Sequence, residues 1–181
     1  MQKYVKLFEE VFINPSIKDI QPFEDYVEAK ETANSLHDDF LALLKNVGIG
    51  QVITDIKSRS SFYDKVENRG KDIKKIHDVL RGAILVDSKE DIHKVVKWLI
   101  ANSKIQKVDY KTKPEGPFGY FGPVHIDVLV DDMLCEVQVM TKKLWKYKEK
   151  TDEFYSKYRS SDEIPKEEID KCKRLFVEAN R

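Results

Sequence analysis

A tight turn between two alternating apolar segments limits the possible folds of this chain more than any other feature. The segments 125–130 and 133–140 are rich in aliphatic and β-branched residues, and only Asp131 and Asp132 separate them. This pattern predicts a β-hairpin, because a two-residue turn joins antiparallel strands and sets their register. Alternation then leaves one apolar face for the core and one polar face.

The polar face of this hairpin brings chemically active side chains together. The register places Asp127 opposite Glu136 and His125 opposite Gln138. Directly opposed carboxylates repel each other unless a cation, a shared proton or water relieves them. A divalent metal with oxygen ligands is the most economical of these solutions.

The rest of the chain alternates helical and extended patterns. Apolar spacing predicts helices over 3–12, 22–46 and 88–102, strands over 51–57, 78–86 and 104–110, and two helices in the last forty residues, split near 160–165. Segment 111–123 is rich in proline and glycine and is expected to be a loop. These elements predict an α+β domain, a mixed sheet of about five strands flanked by helices.

Two of these helices carry finer expectations. The long helix over 22–46 should bury one face, which consists of Phe23, Val27, Leu36, Phe40, Leu44 and Val47. Ser60 or Ser61 is expected to cap a short helix that Gly70 closes.

Composition excludes several classes of protein. The 181 residues carry 32 basic and 32 acidic side chains, so the formal net charge is zero. Basic residues are nevertheless in excess over 51–75 and 141–181, which suits phosphates at defined places better than coating of a nucleic-acid duplex. No apolar stretch reaches the length of a membrane span, and the two cysteines lack zinc-ligand spacing. We therefore expect a cytoplasmic protein with no membrane contact and with reduced cysteines.

Two carboxylates distant in the sequence are the strongest candidates for catalysis. Asp78 stands at the entrance of the apolar segment 78–86, and Glu136 lies inside an apolar strand. Acids on neighbouring strands with Mg²⁺ between them, downstream of a lysine-rich segment, are typical of phosphoryl transfer, in which metal and cations neutralise a polyphosphate.

Four ordered motifs identify a family. Residues 56–65 (IKSRSSFYDK), residues 76–84 (IHDVLRGAI), Gly119-Tyr120 leading to His125, and residues 136–141 (EVQVMT) resemble the signatures of RelA/SpoT synthetase domains. The resemblance covers about residues 50–160. It implies a nucleotidyltransferase-like fold and transfer of pyrophosphate from ATP to a 3′-hydroxyl. We expect an N-terminal helical region over 1–47, a synthetase domain over 48–160 and a C-terminal helix over 161–181.

The resemblance also implies roles for individual residues. Asp78 resembles the family's magnesium-binding aspartate, and Glu136 resembles its catalytic glutamate, which assists the metal or activates the acceptor hydroxyl. The residues expected to bind the ATP phosphates are Lys57, Ser58, Arg59, Lys65 and Arg81. The residues expected at the acceptor are Tyr120, as a stacking partner of the base, with His125 and Gln138. An arginine in a buried strand needs a partner, and either a phosphate or Asp127 is expected to pair with Arg81.

Three departures from the family pattern concern substrate binding. Asp55 stands where many members have an arginine, and Met140 replaces the usual arginine of the last motif. Tyr120 is also one residue further from His125 than is common. We therefore expect a reshaped acceptor pocket, and these departures favour an acceptor other than free GDP or GTP.

The leading functional hypothesis is synthesis of an alarmone, by Mg²⁺-dependent transfer of pyrophosphate from ATP to a guanine nucleotide. One alternative is a toxin-type member that modifies the 3′ end of tRNA and is controlled by an antitoxin, with the lysines of 142–150 as an RNA surface. A second alternative is an inactive nucleotide-binding or partner-binding module. The protein resembles the small, stand-alone members of the family, and a homo-oligomer is possible. The pairs His37-Asp38 and His77-Asp78 do not favour a metal-dependent phosphohydrolase, since Asp78 opens a strand-like segment rather than lying in a helix.

Overall fold

A five-stranded mixed sheet organises the molecule. The computed structural model describes Asn14, residues 16–158 and residues 163–181. The strands are β1 (Gln51–Ile56), β2 (Leu80–Val86), β3 (Lys104–Tyr110), β4 (Val124–Val130) and β5 (Met133–Thr141). Their spatial order is β1-β2-β5-β4-β3, and only the β2–β5 pair of this sheet is parallel. The predicted α+β class is confirmed.

Helices cover parts of both faces of this sheet. They are α1 (Tyr26–Lys45), α2 (Arg59–Tyr63), α3 (Lys89–Asn102), α4 (Lys142–Tyr158) and α5 (Lys166–Asn180). A π-helical turn, Asp64–Asn68, extends α2, and a 3₁₀ turn, Ile73–Lys75, follows. The helix predicted over 3–12 lies outside the described residues. No helix in the described part of the chain is both long enough and apolar enough to span a membrane.

The hairpin has the predicted register. Asp127 lies opposite Glu136, and His125 lies opposite Gln138, on strands β4 and β5. Asp131 in the connecting turn has φ 51°, a left-handed conformation that Asp tolerates better than most residues because its short side chain bonds locally. The two-residue turn sets the register of β4 against β5 and thereby determines which of their residues lie side by side on one face.

The two faces of the sheet have different coverings. On one face α1 and α3 pack over the larger core, in which Phe40, Leu44 and Val96 are fully buried. On the other face α4 and α5 cover a smaller apolar cluster, made of Ala83, Leu85, Met140, Leu144, Phe176 and Ala179. Polar side chains of β2, β4 and β5 lie beside this smaller cluster, so that the second face offers room for a site.

The long helix starts later than predicted. Asp25 caps it, and its carboxylate accepts hydrogen bonds from the backbone N–H groups of Val27 and Glu28. Phe23 is buried but precedes the helix, and Val27 is 59% exposed. The prediction was wrong for Val27, because about two and a half helical turns separate it from the buried Leu36, which places Val27 on the opposite side of α1.

Two further elements begin at residues other than those predicted from the sequence. Ser58, and not Ser60 or Ser61, caps α2, and its hydroxyl accepts from the Ser61 N–H at 3.3 Å. Strand β2 begins at Leu80, so Asp78 lies in the turn just before it. Because Asp78 lies in this turn, the direction of its side chain is not set by the alternation of side chains along β2.

A buried amide ties the segment before Asp78 to β5. Gln21 is 1% exposed, and its Nε2 donates to the carbonyl oxygens of Ile76 at 2.9 Å and Leu134 at 2.8 Å. Its Oε1 accepts from the Leu134 N–H at 3.0 Å. One side chain thus satisfies backbone groups of two distant segments and holds them together.

Replacement of Gln21 by Leu should destabilise the fold. The variant leaves buried backbone groups without partners, so we expect the free energy of unfolding to fall by about 2–4 kcal/mol. Urea denaturation measures this change. Gln51→Leu, at an exposed position, is the matched control and should stay within about 0.5 kcal/mol of wild type. Equal stability of the two variants would contradict the assigned role of Gln21.

Candidate active site

A cleft of about 560 Å³ opens on the second face of the sheet. Residues of β1, β2, β4, β5, the 111–123 loop, α4 and α5 line it. Most of the residues predicted from the sequence share this cleft, namely Lys57, Lys65, Asp78, Arg81, Tyr120, His125, Glu136 and Gln138. Ser58 and Arg59 are not part of the lining. Ser58 caps α2, and the Arg59 guanidinium lies 5.6 Å from the centre of the Tyr63 ring.

Asp78 is the centre of a buried charge cluster at one end of the cleft. Lys57 Nζ lies 2.8 Å and Lys65 Nζ 2.7 Å from the same oxygen, Asp78 Oδ2. Lys57 directly follows β1, and its backbone N–H donates to the Val79 carbonyl at 2.8 Å, which aligns it with the turn that carries Asp78. The Lys57 and Asp78 residues are only 4% and 8% exposed.

Burial and charge act in opposite directions on this cluster. Burial raises the pKa of Asp78, but the adjacent Lys65 and Lys57 ammonium groups outweigh it and lower this pKa to about 2. Burial also lowers the pKa of Lys57, against the attraction of Asp78. Asp78 is therefore ionised at neutral pH, and it holds two cations at the entrance of β2.

Glu136 is the second acid of the cleft and has its own polar partners. His125 Nδ1 lies 3.1 Å from Glu136 Oε2, and Gln138 Nε2 donates to Glu136 Oε1 at 2.7 Å. Burial raises the pKa of Glu136, but the contact with His125 prevails and lowers it. Tyr120 Oη lies 3.3 Å from His125 Nε2, so that a chain of polar groups connects the loop to the carboxylate.

Imidazole groups accompany the two opposed carboxylates of the hairpin. His77 Nδ1 lies 3.1 Å from Asp127 Oδ2, as His125 lies beside Glu136. The burial of His77 lowers its pKa, but the hydrogen bond to Asp127 prevails and raises it. Each of the two opposed carboxylates thus has a histidine partner of its own, an arrangement that the hairpin pattern alone did not reveal.

Asp78 and Glu136 line the same cleft because β2 and β5 are parallel neighbours. Arg81, three residues after Asp78, lies opposite Glu136 in this pair, and both acids line the same cleft. The repulsion between the two acids contributes to the pKa of Glu136, which Asp78 tends to raise. The two sequence-distant acids therefore act within one electrostatic site.

The donor set fits a magnesium ion that is shared with a substrate. Asp78 Oδ1 is buried and has no hydrogen-bond partner among the described residues, although a buried carboxylate oxygen normally has one. The described residues hold no group of three or more His, Cys, Asp or Glu that could bind a metal. Mg²⁺ in phosphoryl-transfer sites commonly takes one or two carboxylates together with phosphate oxygens, and Asp78 and Glu136 supply such carboxylates.

Arg81 has a partner that the sequence analysis did not expect. Its Nε donates to Asp55 Oδ2 at 3.1 Å, and its Nη2 donates to the same oxygen. Asp55 lies directly opposite Arg81 across β1 and β2. The Arg81 side chain is 40% exposed, so it is not buried as the sequence pattern predicts. Its partner is Asp55 and not Asp127.

The other end of the cleft is aromatic. The Tyr120 ring packs edge-on against Phe176 of α5, with centroids 5.4 Å apart, and against His125 at 6.0 Å. Burial raises the pKa of the Tyr120 hydroxyl. Asn180 Nδ2 donates to the Phe121 carbonyl at 3.2 Å, so α5 holds the loop that carries Tyr120.

Helix α4 supplies a wall that the sequence analysis did not assign to the site. Trp145, Lys148, Thr151 and Asp152 line the cleft. Lys148 Nζ lies 5.3 Å from the centre of the Trp145 ring and 2.8 Å from Asp152 Oδ2. The helical spacing of these residues places them on one side of α4. This helical spacing is the sequence signal that could have placed these residues at the cleft, whereas the sequence-based hypothesis places the lysines of 142–150 on an RNA surface.

The fold and the two acidic groups in one cleft agree with the family resemblance. The family model described as the region found in RelA/SpoT proteins matches residues 54–163. Because this match spans more than half of the 181 residues, the chain belongs to the RelA/SpoT family. A sequence comparison with curated proteins finds no match.

Solved structures share this fold. The small alarmone synthetase 2 from Bacillus subtilis is 22% identical with a TM-score of 0.65, covering 84% of this chain and 89% of that chain. The small alarmone synthetase 1 from Bacillus subtilis, bound to its product pppGpp, is 18% identical with a TM-score of 0.66, covering 84% and 88%. The Type VI effector Tas1, solved with its immunity protein, is 17% identical with a TM-score of 0.58, covering 85% and 95%.

The buried Asp78 cluster predicts a specific dependence of stability on pH. The pKa of Asp78 falls from 3.8 in its ordinary state to about 2 in the fold, so the stabilisation is complete above about pH 4 and is lost as the pH falls toward 2. This shift corresponds to roughly 2 kcal/mol. We expect Asp78→Asn to be less stable than wild type at pH 7, and the difference to shrink by roughly that amount between pH 5 and pH 2.

Urea unfolding at several pH values measures this difference. Asp38→Asn is the matched control, because the Asp38 side chain is fully exposed, and its difference from wild type should stay near zero throughout. A pH-independent gap between wild type and Asp78→Asn would contradict the assigned ionisation.

Proposed function

We propose that the protein transfers pyrophosphate from ATP to the ribose 3′-hydroxyl of a guanine nucleotide. The observation that carries this proposal is the convergence of Asp78, with its two lysines, and Glu136, with its histidine, in one cleft. Membership of the RelA/SpoT family supports the same reaction class. The likeness to a synthetase solved with pppGpp supports a guanine nucleotide as acceptor.

The cationic end of the cleft suits the triphosphate of ATP. Lys57 and Lys65 line it in contact with Asp78, and Arg81 lines it in contact with Asp55. Positive side chains around the phosphates lower the cost of the charge that develops during transfer. Asp78 and Glu136 would hold magnesium, which supplies further neutralisation of the triphosphate when bound. The lysines keep Asp78 ionised for that role.

Glu136 suits the activation of the acceptor hydroxyl. Its pKa is lowered by His125, so that at neutral pH it is an ionised proton acceptor, and two polar contacts fix its orientation. The acceptor 3′-oxygen forms a bond to the β-phosphorus of ATP, the bond between this phosphorus and the α,β-bridging oxygen breaks, and AMP leaves. The proton of the 3′-hydroxyl passes to Glu136. Pyrophosphate is thereby transferred as one unit.

The aromatic end of the cleft suits the acceptor base. Tyr120 and Trp145 line it together with Gln138, and aromatic rings offer stacking surfaces to nucleobases. Phe176 and Asn180 of α5 fix the loop on which Tyr120 lies. The acceptor is thus expected to place its ribose toward Glu136 and its base toward the loop.

The toxin-type alternative has less support from the described residues. The likeness to the Tas1 effector, solved with its immunity protein, favours a toxin with an inhibitory partner. However, the RNA surface proposed on α4 is partly neutralised, since Lys142 pairs with Asp87 and Lys148 pairs with Asp152. Binding of an RNA backbone depends on cations that exchange counterions for phosphates, so the guanine nucleotide remains the favoured acceptor.

Replacement of Glu136 by Gln should abolish transfer while nucleotide binding persists. With γ-labelled ATP and GDP, we expect label on the guanine nucleotide for wild type and a rate at least about 100-fold lower for the variant, because the proton acceptor is lost. Thin-layer chromatography follows the label, and calorimetry measures ATP binding. Glu149→Gln, on the exposed side of α4, is the matched control and should keep the wild-type rate.

Deacylated tRNA in a parallel reaction separates the alternatives. Label on tRNA, with none on GDP, would overturn the guanine-nucleotide proposal in favour of the toxin-type activity. Nucleotide binding without label on either acceptor, and with no difference between wild type and Glu136→Gln, would identify an inactive binding module.

A further inference from the structure

We propose that Asp55 sets the affinity of the cleft for ATP by competing with the nucleotide's phosphates for Arg81. Arg81 donates two hydrogen bonds to Asp55 Oδ2, and the two residues face each other across β1 and β2 on the cleft side of the sheet. This inference rests on the proposed function, since it assumes that the cleft binds ATP. It adds a residue that tunes binding without taking part in the transfer.

Among Lys57, Lys65, Arg69 and Arg81, the last has the most exposed partner. Lys57 and Lys65 share Asp78, whose side chain is only 11% exposed. Arg69 bonds to Asp64, whose side chain is 7% exposed. The partner of Arg81 is instead 55% exposed, and ion pairs in such solvent contact contribute little net free energy. Exchange of Asp55 for phosphate is therefore inexpensive for Arg81.

Phosphate is the stronger partner for this guanidinium. A phosphate group offers several charged oxygens in a geometry that a guanidinium fork matches with two hydrogen bonds. Asp55 offers Arg81 a single oxygen, Oδ2, which both donors share. Arg81 lies opposite Glu136 in the β2–β5 pair, and both residues line the cleft.

The competition has a measurable consequence. While Asp55 holds Arg81, part of the binding free energy of ATP is used to break this pair, and the Asp55 charge repels the triphosphate. Removal of the Asp55 charge should tighten ATP binding about two- to fivefold, the range that one exposed ion pair supports. The KM for ATP should fall by a similar factor, because the same ion pair is broken whenever ATP binds.

A double-mutant cycle tests the inference. Isothermal calorimetry with Mg²⁺ and α,β-methylene-ATP, in which the scissile bridge cannot break, gives the affinities of wild type, Asp55→Asn, Arg81→Gln and the double variant. We expect Asp55→Asn to bind two- to fivefold more tightly than wild type, by the reasoning above, and to show no gain in the Arg81→Gln background. Asp55→Thr, which also suits a strand, should reproduce the gain.

A matched control removes the same charge elsewhere. Asp87 pairs with Lys142 at 2.8 Å just after β2 and does not line the cleft, so Asp87→Asn should leave the affinity unchanged. If Asp55→Asn tightened binding of the analogue equally in the Arg81→Gln background, the Asp55 charge would act by direct repulsion of the nucleotide and not through Arg81, which would overturn the proposal. Unchanged affinity in both Asp55 variants would also overturn it.

Two further outcomes separate this inference from the function on which it rests. Wild type that binds the analogue but transfers no pyrophosphate would refute the proposed function, and the cycle would still decide the role of Asp55. Wild type that does not bind the analogue at all would refute both.

Discussion

The parallel pairing of β2 with β5 is the constraint on which the candidate site depends. It sets Arg81 opposite Glu136 and brings the turn with Asp78 beside the same strand. A shift of one residue would turn Glu136 toward the larger core, because side chains alternate between faces. A parallel pair needs a long crossover, which α3, β3 and β4 provide here. The hairpin and the crossover are thus both required before the two acids can share one cleft.

Ion pairs within the chain stabilise the charged side chains of the cleft when no substrate is bound. Buried ions are costly unless each has a partner, and Asp78, with Lys57 and Lys65, meets this requirement within the chain. Arg81 and Lys148 are likewise paired, with Asp55 and Asp152. The cleft therefore keeps these cations in place and partly neutralised, and in the proposed function a polyphosphate would bind by exchange of ion-pair partners.

The hairpin register and the convergence of Asp78 with Glu136 could be predicted, because a two-residue turn and ordered motifs constrain both. The partners of the charged groups could not be. The Asp55–Arg81 pair depends on the β1–β2 register, and the pairing of His77 with Asp127 depends on how the chain enters β2. Each of these contacts joins segments whose relative position no local pattern encodes.

The aromatic end of the cleft is built partly by residues beyond the region that the family model matches. The family match ends at residue 163, whereas α5 begins at Lys166 and contributes Phe176 to the cleft. Met140 stands where the family resemblance expects an arginine, and it is fully buried in the small apolar cluster with Phe176. A cation at this position would have to be buried against α5, at a large desolvation cost. The apolar side chain of Met140 instead packs in one cluster with Phe176 of α5, the helix that holds the Tyr120 loop, and Arg81 on the neighbouring strand lies opposite Glu136. Met140 therefore contributes apolar packing for α5 at the position where the resemblance expects a charge, and this packing lies beside the cleft that holds the two acids.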